Sequence, residues 1–209
     1  MNTVKAIFYD LDGVLVDACD WHYHSLNDAL EKHCGFRITY EEHVKTYNGL
    51  STKIKLKMLE LDKSTAQKVW ATKQEKTLEN IKKFGFKDNY KRKLHRWTQS
   101  QGIHSVCVTN SIRETTLEML KITEQLEYME FIVSNENVKN NKPAPDCYLL
   151  ALEKIGFNKD EVVIIEDSPK GKQSAYASGI RVLEVKDAFD VTLDFVRRKI
   201  NENFNTNGR

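Results

Sequence analysis

The chain has 209 residues, 40% hydrophobic and 30% charged, an ordinary balance for one folded unit or for a core with a small insert. Its formal net charge of +2 is too small to indicate nucleic acid or a membrane surface as a partner. No run approaches the ~20 apolar residues that span a bilayer, and the first apolar run ends too early, at Asp10, for a secretory signal. Four cysteines without a C-x-x-C pair fit a reducing environment, so we expect a cytoplasmic protein.

Short apolar segments alternate with helical patterns along the chain. The segments that predict β-strands are brief and bounded by polar or turn residues: Val4–Tyr9, Ser105–Val108, Phe131–Val133, Val162–Ile165 and Val182–Val185. Helical patterns lie between them at Tyr90–Gln101, Arg113–Leu120, Asp146–Ile155 and Lys170–Ser178. This alternation predicts the α/β class, with a doubly wound parallel sheet of Rossmann-like topology.

The long connection between the first strand and Tyr90 interrupts this alternation, because it contains helical patterns only. We expect helices at Trp21–His33, Tyr40–Thr46, Thr52–Leu61 and Thr65–Lys82, the last started by a capping box of Ser64 and Gln67. The sequence therefore predicts a catalytic core of residues 1–16 and 87–209, with a small helical cap of residues 17–86 inserted after strand one. The polar tail from Asn203 to Arg209 is expected to fray.

Two basic clusters, Lys91–Lys93 and Arg197–Lys199, lie in helix-like stretches rich in other polar residues. Runs of this kind are usually solvent-exposed charge, so we expect neither cluster to bind nucleic acid or a membrane.

Polar side chains follow the predicted strands, at the point where each strand ends. They stand in four short segments: Asp10-Leu11-Asp12-Gly13, Thr109-Asn110-Ser111, Lys142-Pro143-Ala144-Pro145 and Glu166-Asp167-Ser168. The carboxyl ends of parallel strands meet at one edge of a sheet, where ligands bind in open α/β folds. We therefore expect these carboxylates, hydroxyls and the lysine to form one site.

The residue types at this edge fit phosphoryl transfer. Clustered carboxylates repel one another unless a cation is present, and Mg²⁺ is commonly held by a few carboxylates. Lys142, the Thr109 hydroxyl and the Asn110 backbone amide can bind phosphoryl oxygens. One aspartate, Asp10, can attack phosphorus, while Asp12 can exchange protons with the leaving oxygen and with water.

The four segments resemble, in order, the four motifs of the haloacid dehalogenase-like hydrolase superfamily. The resemblance covers nearly the whole chain, and Asp10-Leu11-Asp12-Gly13-Val14-Leu15-Val16-Asp17 is similar to the first motif over its full length. It implies a Rossmann-like core with a mobile helical cap, placed as in the β-phosphoglucomutase and phosphoglycolate phosphatase branch.

The resemblance also implies a role for each motif residue. Asp10 would be the nucleophile that forms an aspartyl-phosphate, and Asp12 the general acid and base. Mg²⁺ would be held by Asp10, the backbone carbonyl of Asp12, Asp167 and, directly or through water, Glu166. The phosphoryl group would be held by Thr109, Asn110 and Lys142.

Three cap positions are candidate substrate contacts. His22 matches a histidine of the β-phosphoglucomutase branch that contacts the acid/base aspartate. Thr52 stands where the mutase has an arginine that grips the distal phosphate, which weakens a mutase assignment. Lys73 lies near another substrate contact of the mutase, although an exposed lysine on a charged helix is the simpler interpretation.

The leading hypothesis is a Mg²⁺-dependent phosphatase acting on a small phosphate ester, with no macromolecular partner and a monomeric state as the expectation. The alternative is a sugar-phosphate mutase, which needs a bisphosphate intermediate and a cap that excludes water. A phosphate-binding module without catalysis is disfavoured by the intact Asp12. A dehalogenase is disfavoured because haloacid cleavage does not need the acidic cluster. The cap residues are compatible with sugar phosphates, phosphoglycolate or nucleotides.

Overall fold

The structure is a computed structural model that describes residues 4–201. The strands are β1 (Ala6–Tyr9), β2 (His104–Val108), β3 (Met129–Val133), β4 (Val162–Glu166) and β5 (Arg181–Glu184). The helices are α1 (Cys19–Cys34), α2 (Tyr40–Glu42, continued by a π-helical turn His43–Tyr47), α3 (Thr52–Met58), α4 (Lys63–Phe84), α5 (Asn89–Ser100), α6 (Arg113–Ile122), α7 (Asp146–Ile155), α8 (Pro169–Ser178) and α9 (Leu193–Asn201). The predicted frayed tail lies outside the described residues.

The strands form one parallel sheet in the order β3-β2-β1-β4-β5. The last residue of β1, Tyr9, pairs with Cys107 of β2 and with Ile165 of β4. The chain segments that follow these three strands therefore leave the sheet side by side. The predicted α/β fold with a doubly wound parallel sheet is confirmed.

Both faces of β1 are covered, which explains its unbroken apolar sequence. Ile7 and Tyr9 point into one apolar cluster, and Phe8 points into the other together with Val106 and Ile164. These five side chains are fully buried. The strand end that carries the first motif is thus fixed from both sides.

Helices α1 to α4 follow β1 and precede α5, as the sequence predicted for the cap. They have an apolar cluster of their own, formed by Leu26, Leu30, Ile38, Leu56 and Val69. A separate cluster is what a small inserted unit needs to hold its helices together. The domain boundaries at residues 17 and 86 stay a prediction.

The start of α4 differs from the sequence prediction. The helix begins at Lys63, and its N-cap is Asp62, whose carboxylate accepts hydrogen bonds from the backbone amides of Ser64 (2.9 Å) and Thr65 (3.1 Å). The predicted capping box of Ser64 and Gln67 is therefore wrong. A carboxylate two residues earlier satisfies the free amides of the first turn and also interacts favourably with the helix dipole.

The prediction of exposed charge is wrong for Lys91, which is buried. Its ammonium donates hydrogen bonds to the carbonyl of Ala188 (2.5 Å) and to that of Val191 (3.1 Å), so it ties α5 to the loop before α9. Within residues 4–201, no helix combines the length and the apolar character needed to cross a bilayer.

Candidate active site

The loop after β1 places two carboxylates at the edge of the sheet. The backbone amides of Leu15 and Val16 both donate to the carbonyl of Leu11 (2.9 Å each), which closes a tight loop directly after the strand. Gly13 has φ +83°, and a Cβ there would overlap the carboxylate of Asp167. Glycine is needed at this position for both reasons.

Lys142 is the electrostatic centre of the site. Its buried ammonium has four oxygen acceptors within hydrogen-bond distance: Asp10 Oδ1 (2.8 Å), Glu166 Oε1 (2.6 Å), the Tyr148 hydroxyl (2.9 Å) and the carbonyl of Val108 (2.9 Å). Burial opposes its charge, but the carboxylates of Asp10 and Glu166 keep the pKa of Lys142 well above its usual value. The ammonium therefore stays charged and holds the Asp10 side chain in place.

The carboxylates of Asp10, Glu166 and Asp167 converge, each offering an oxygen within 4.8 Å of the others. Burial, followed by the negative charge of Glu166, raises the pKa of Asp10 and that of Asp167. Asp167 Oδ1 is buried and has no hydrogen-bond partner within the described chain. Three carboxylates face one ammonium, so the cluster has both the excess charge and the free oxygen that a divalent cation would use. The residues thus fit Mg²⁺, and the predicted convergence of residues 10 and 167 is present.

Asp12 belongs to a second network, which runs into the cap. Its Oδ1 accepts a hydrogen bond from His22 Nε2 (2.7 Å), and its Oδ2 accepts one from the Ser111 hydroxyl (2.7 Å). Burial would raise the pKa of Asp12, but His22 and Ser111 outweigh this effect and lower it to about 2. Burial lowers the pKa of His22, so its ring is neutral at pH 7. Lys73 Nζ lies 3.3 Å from His22 Nδ1, which accordingly acts as the acceptor.

The predicted phosphate-binding residues lie on the wall of the same cleft. The hydroxyl of Thr109 is buried and accepts a hydrogen bond from the backbone amide of Ser111 (3.0 Å). The side-chain amide of Asn110 donates to the carbonyl of Gly49 (2.8 Å), and its oxygen accepts from the backbone amide of Lys142 (3.0 Å). The Asn110 side chain therefore connects the loop after β2 to the segment between α2 and α3, and it positions Lys142.

The three predicted cap residues also line this cleft. Thr52 begins α3, and its hydroxyl lies 3.4 Å from the side-chain nitrogen of Gln74. The interpretation of Lys73 as an exposed lysine is wrong, because only 5% of this residue is exposed. It lies on the face of α4 that packs against the site, and desolvation lowers its pKa to about 7.

Some residues of the site have no role in the sequence-based assignment. Ser111 directly follows the second motif, and this position could have identified it as a site residue from the sequence. Tyr148 donates a hydrogen bond to Glu166 (2.8 Å) from the first turns of α7, a contact that no local pattern encodes. Lys55 lies three residues after Thr52 on α3, a spacing that puts both side chains on one helix face.

Comparison with known proteins places the chain in a family. A profile of the haloacid dehalogenase-like hydrolase family matches residues 7–185. The chain belongs to this family, and it is an enzyme. The curated relatives it matches are named as phosphatases, which supports a hydrolase of phosphoric monoesters.

A protein of Caldanaerobacter subterraneus named "Putative pyrophosphatase PpaX" is 31% identical over 184 residues, which cover 88% of this chain and 82% of the relative. A phosphorylated carbohydrates phosphatase of Thermotoga maritima is 28% identical, over 85% of this chain and 82% of the relative. Among solved structures, a β-phosphoglucomutase of Clostridium difficile superposes with a TM-score of 0.81 at 18% identity, covering 97% of this chain and 99% of that one. At this identity the structural likeness shows the fold alone.

Proposed function

We propose that the chain is a Mg²⁺-dependent phosphatase that hydrolyses a small phosphorylated metabolite through an aspartyl-phosphate on Asp10. The proposal rests on two hydrogen-bond networks, one around Asp10 and one around Asp12, that lie side by side at one edge of the sheet. The carboxylate of Asp10 is fixed by Lys142, and that of Asp12, two residues on, is fixed by His22 and Ser111. A nucleophile and a proton-transfer group beside each other are what two-step phosphoryl transfer requires.

In the first step, an oxygen of Asp10 forms a bond to phosphorus while the bond from phosphorus to the ester oxygen breaks. The electron pair of that bond goes to the leaving oxygen. Asp12, which is ionised in the free enzyme, passes to this oxygen the proton that the monoanionic substrate brings into the site. In the second step, Asp12 accepts a proton from water, the water oxygen bonds to phosphorus, and the carboxylate of Asp10 is released together with inorganic phosphate. Asp12 then passes this proton to the departing phosphate and is ionised again, so protons balance over the cycle.

The phosphoryl oxygens would be bound by the Thr109 hydroxyl, the Asn110 backbone amide and the Lys142 ammonium. Mg²⁺ would be held by Asp10, Glu166, Asp167 and the backbone carbonyl of Asp12, where it would offset negative charge on the phosphoryl group. The cap, placed over the cleft by the contact of Gly49 with Asn110, would exclude bulk water.

The test is phosphate release from a panel of phosphate esters, with Mg²⁺ or with EDTA. We expect Mg²⁺-dependent release from at least one ester, and a loss of at least ~10³-fold in Asp10→Asn, because removal of a covalent nucleophile leaves only residual rate enhancement. Asp160→Asn, at an exposed acidic position, serves as the matched control. No release by folded wild-type protein, or unchanged release by Asp10→Asn, would contradict the proposal.

A sugar-phosphate mutase is the second candidate, favoured by the contact of His22 with Asp12, which the resemblance to the β-phosphoglucomutase branch implied. Against it stands Thr52, which offers a hydroxyl where the mutase has an arginine. Interconversion of glucose 1-phosphate and glucose 6-phosphate, primed with the bisphosphate and measured against net phosphate release, separates the two candidates.

A further inference from the structure

The ammonium of Lys55 is a cation in the cleft without a partner. Lys55 is 5% exposed, and it lines the same cleft as Asp10 and Thr109. Within residues 4–201 no oxygen accepts a hydrogen bond from its Nζ, although an ammonium carries three donors. Its Nζ still meets the water of the cleft, and an anion bound beside it would replace that water with a charge-assisted hydrogen bond.

The charges around Lys55 leave this wall of the cleft positive. The carboxylate of Asp12 is the negative charge that acts on it, since burial raises the pKa of the Cys19 thiol and keeps that group neutral. Asp12 already accepts hydrogen bonds from His22 and Ser111. Lys73 adds a second buried amine that interacts with Lys55; its pKa of about 7 leaves it partly charged at pH 7, and an anion bound beside it would favour the charged form.

The proposed phosphoryl-binding part of the site does not use Lys55 or Lys73. Lys142 already supplies the cation beside the nucleophile. One hydrogen-bond donor of Lys73 faces His22, and its other donors are available to a ligand. Desolvation lowers the pKa of Lys55 to about 8, so its ammonium remains largely charged at pH 7.

We propose that Lys55, together with Lys73, binds a second anionic group of the substrate, so that the substrate class is a phosphorylated compound bearing a further carboxylate or phosphate. This inference rests on the proposed phosphatase function and narrows it. The phosphoryl group to be transferred lies at Asp10 and Lys142, and the second anion lies at the cap wall. Lys55 is then a specificity-determining residue, because a neutral tail would leave its ammonium unpaired.

The kinetic test compares matched phosphate monoesters whose tails differ only at the far end. One arm has a neutral alkyl tail, a second the same tail ending in a carboxylate, and a third the same tail ending in phosphate; inorganic pyrophosphate is the shortest case. We expect the wild type to prefer the anionic arms in kcat/KM. Lys55→Met should lose ~10–100-fold on the preferred anionic arm, the size of a hydrogen bond to a charged group, and little on the neutral arm.

Two further variants control this result. Lys57→Met removes an exposed lysine of the same helix and should leave all arms unchanged. Lys55→Arg keeps the charge and should retain most of the preference, whereas Met keeps only the apolar stem. An equal loss on all arms in Lys55→Met, or a wild type without preference for anionic tails, would overturn the inference.

A binding measurement separates failure of this inference from failure of the proposed function. Asp10→Asn is titrated calorimetrically with an alkylphosphonate that carries a carboxylate, and with its neutral-tailed analogue. Tighter binding of the acidic ligand that is lost in the Asp10→Asn, Lys55→Met double variant supports the second-anion site even if no ester is hydrolysed. Equal binding of both ligands refutes the site even if hydrolysis is observed.

Discussion

Asp12 is the residue whose environment most directly sets its chemical role. One oxygen accepts from His22 and the other from Ser111, so neither oxygen can rotate freely. The low pKa of Asp12 makes it an ionised group in the free enzyme, ready to accept a proton from water. His22 does not reach the phosphoryl group through this contact; it is a positioning residue.

We predict that His22→Ala lowers kcat by ~10–100-fold and changes KM little, since general acid–base catalysis contributes ~10²–10⁴-fold and only its positioning is lost. The loss of the histidine should also raise the pKa of Asp12, so the acidic limb of the pH–rate profile should move to higher pH. Steady-state kinetics from pH 4 to pH 8 measure both effects, since the wild-type limb lies below this range and that of His22→Ala should enter it. His24→Ala, on the exposed face of the same helix, is the control. An unchanged acidic limb would show that His22 acts only in packing.

The candidate site residues that the sequence identifies combine a suitable side chain with a position after a predicted strand. Asp10, Lys142 and Asp167 each follow a strand or stand in a motif loop, so local order places them at one edge. Lys55 and Tyr148 lie within helices, where a polar residue is ordinarily exposed. Their burial depends on how α3 packs against α4 and how α7 packs against α8 and the sheet, and no local pattern of the sequence contains that packing.

At the level of elements, the loop after β1 and the end of β4 are fitted to each other. Gly13 and Asp167 meet so closely that no side chain fits between them. Gly35, at the end of α1, has nearly the same backbone conformation, φ +73° against +83°, but no atom lies within 4 Å of its hypothetical Cβ. Substitutions at Gly13 and Gly35 therefore distinguish the effect of backbone strain from the effect of disturbing the site.

We predict that Gly35→Ala costs ~1–2 kcal/mol of unfolding free energy, the usual penalty for a left-handed alanine, and leaves activity unchanged. Gly13→Ala should carry the same penalty and in addition displace Asp167, with a loss of at least ~10²-fold in kcat and weaker Mg²⁺ dependence. Urea unfolding and a Mg²⁺ titration of activity provide the two measurements. Equal activity in both variants would show that the site tolerates movement of Asp167.

Element positions were predictable where hydrophobic periodicity is strong. All five strands lie within two residues of their predicted bounds, because continuous apolar runs between turn residues have few other structures open to them. Helix ends were less predictable: α3 ends at Met58 instead of Leu61, and α4 starts at Lys63 instead of Thr65. Several polar residues near each end can act as a cap, and tertiary packing selects among them.

At the scale of the whole molecule, stability should depend on pH through buried histidines. His95 of α5 donates to Gln125 Oε1 (3.0 Å) and packs edge-on against Tyr9 of β1. Burial lowers the pKa of His95 to about 4, below its ordinary value of 6.5. The unfolded chain therefore binds more protons than the folded one between these values. The stability is fully present above pH ~6.5 and is lost as the pH falls towards 4.

We predict that this one group makes unfolding easier by up to about 3 kcal/mol at pH 4 relative to pH 7, since each unit of pKa shift corresponds to ~1.4 kcal/mol. His95→Gln should reduce the pH dependence by that amount, whatever its effect at pH 7. Denaturant unfolding at several pH values measures the slope, with His24→Gln as the exposed control. If wild type and His95→Gln lose stability in parallel, the histidine is not the cause.

The cluster of carboxylates in the site lowers the stability of the folded chain. Asp167 has a raised pKa because of burial and Glu166, so its ionised form is disfavoured in the folded state. For a raised carboxyl pKa, the contribution to stability is present at low pH and is lost as the pH rises through the folded-state value. At pH 8 the ionised Asp167 therefore destabilises the folded chain, and a divalent cation bound there would reverse this effect.

We predict that Asp167→Asn, in EDTA at pH 8, raises the unfolding free energy by roughly 1–3 kcal/mol, since it removes one of three clustered carboxylates. It should also abolish most activity. Adding Mg²⁺ should raise the Tm of the wild type and leave that of Asp167→Asn nearly unchanged, because only the wild type retains the full ligand set. Asp160→Asn should follow the wild type in both conditions. If Asp167→Asn unfolds more easily than the wild type in EDTA, repulsion among these carboxylates does not limit the stability of this enzyme.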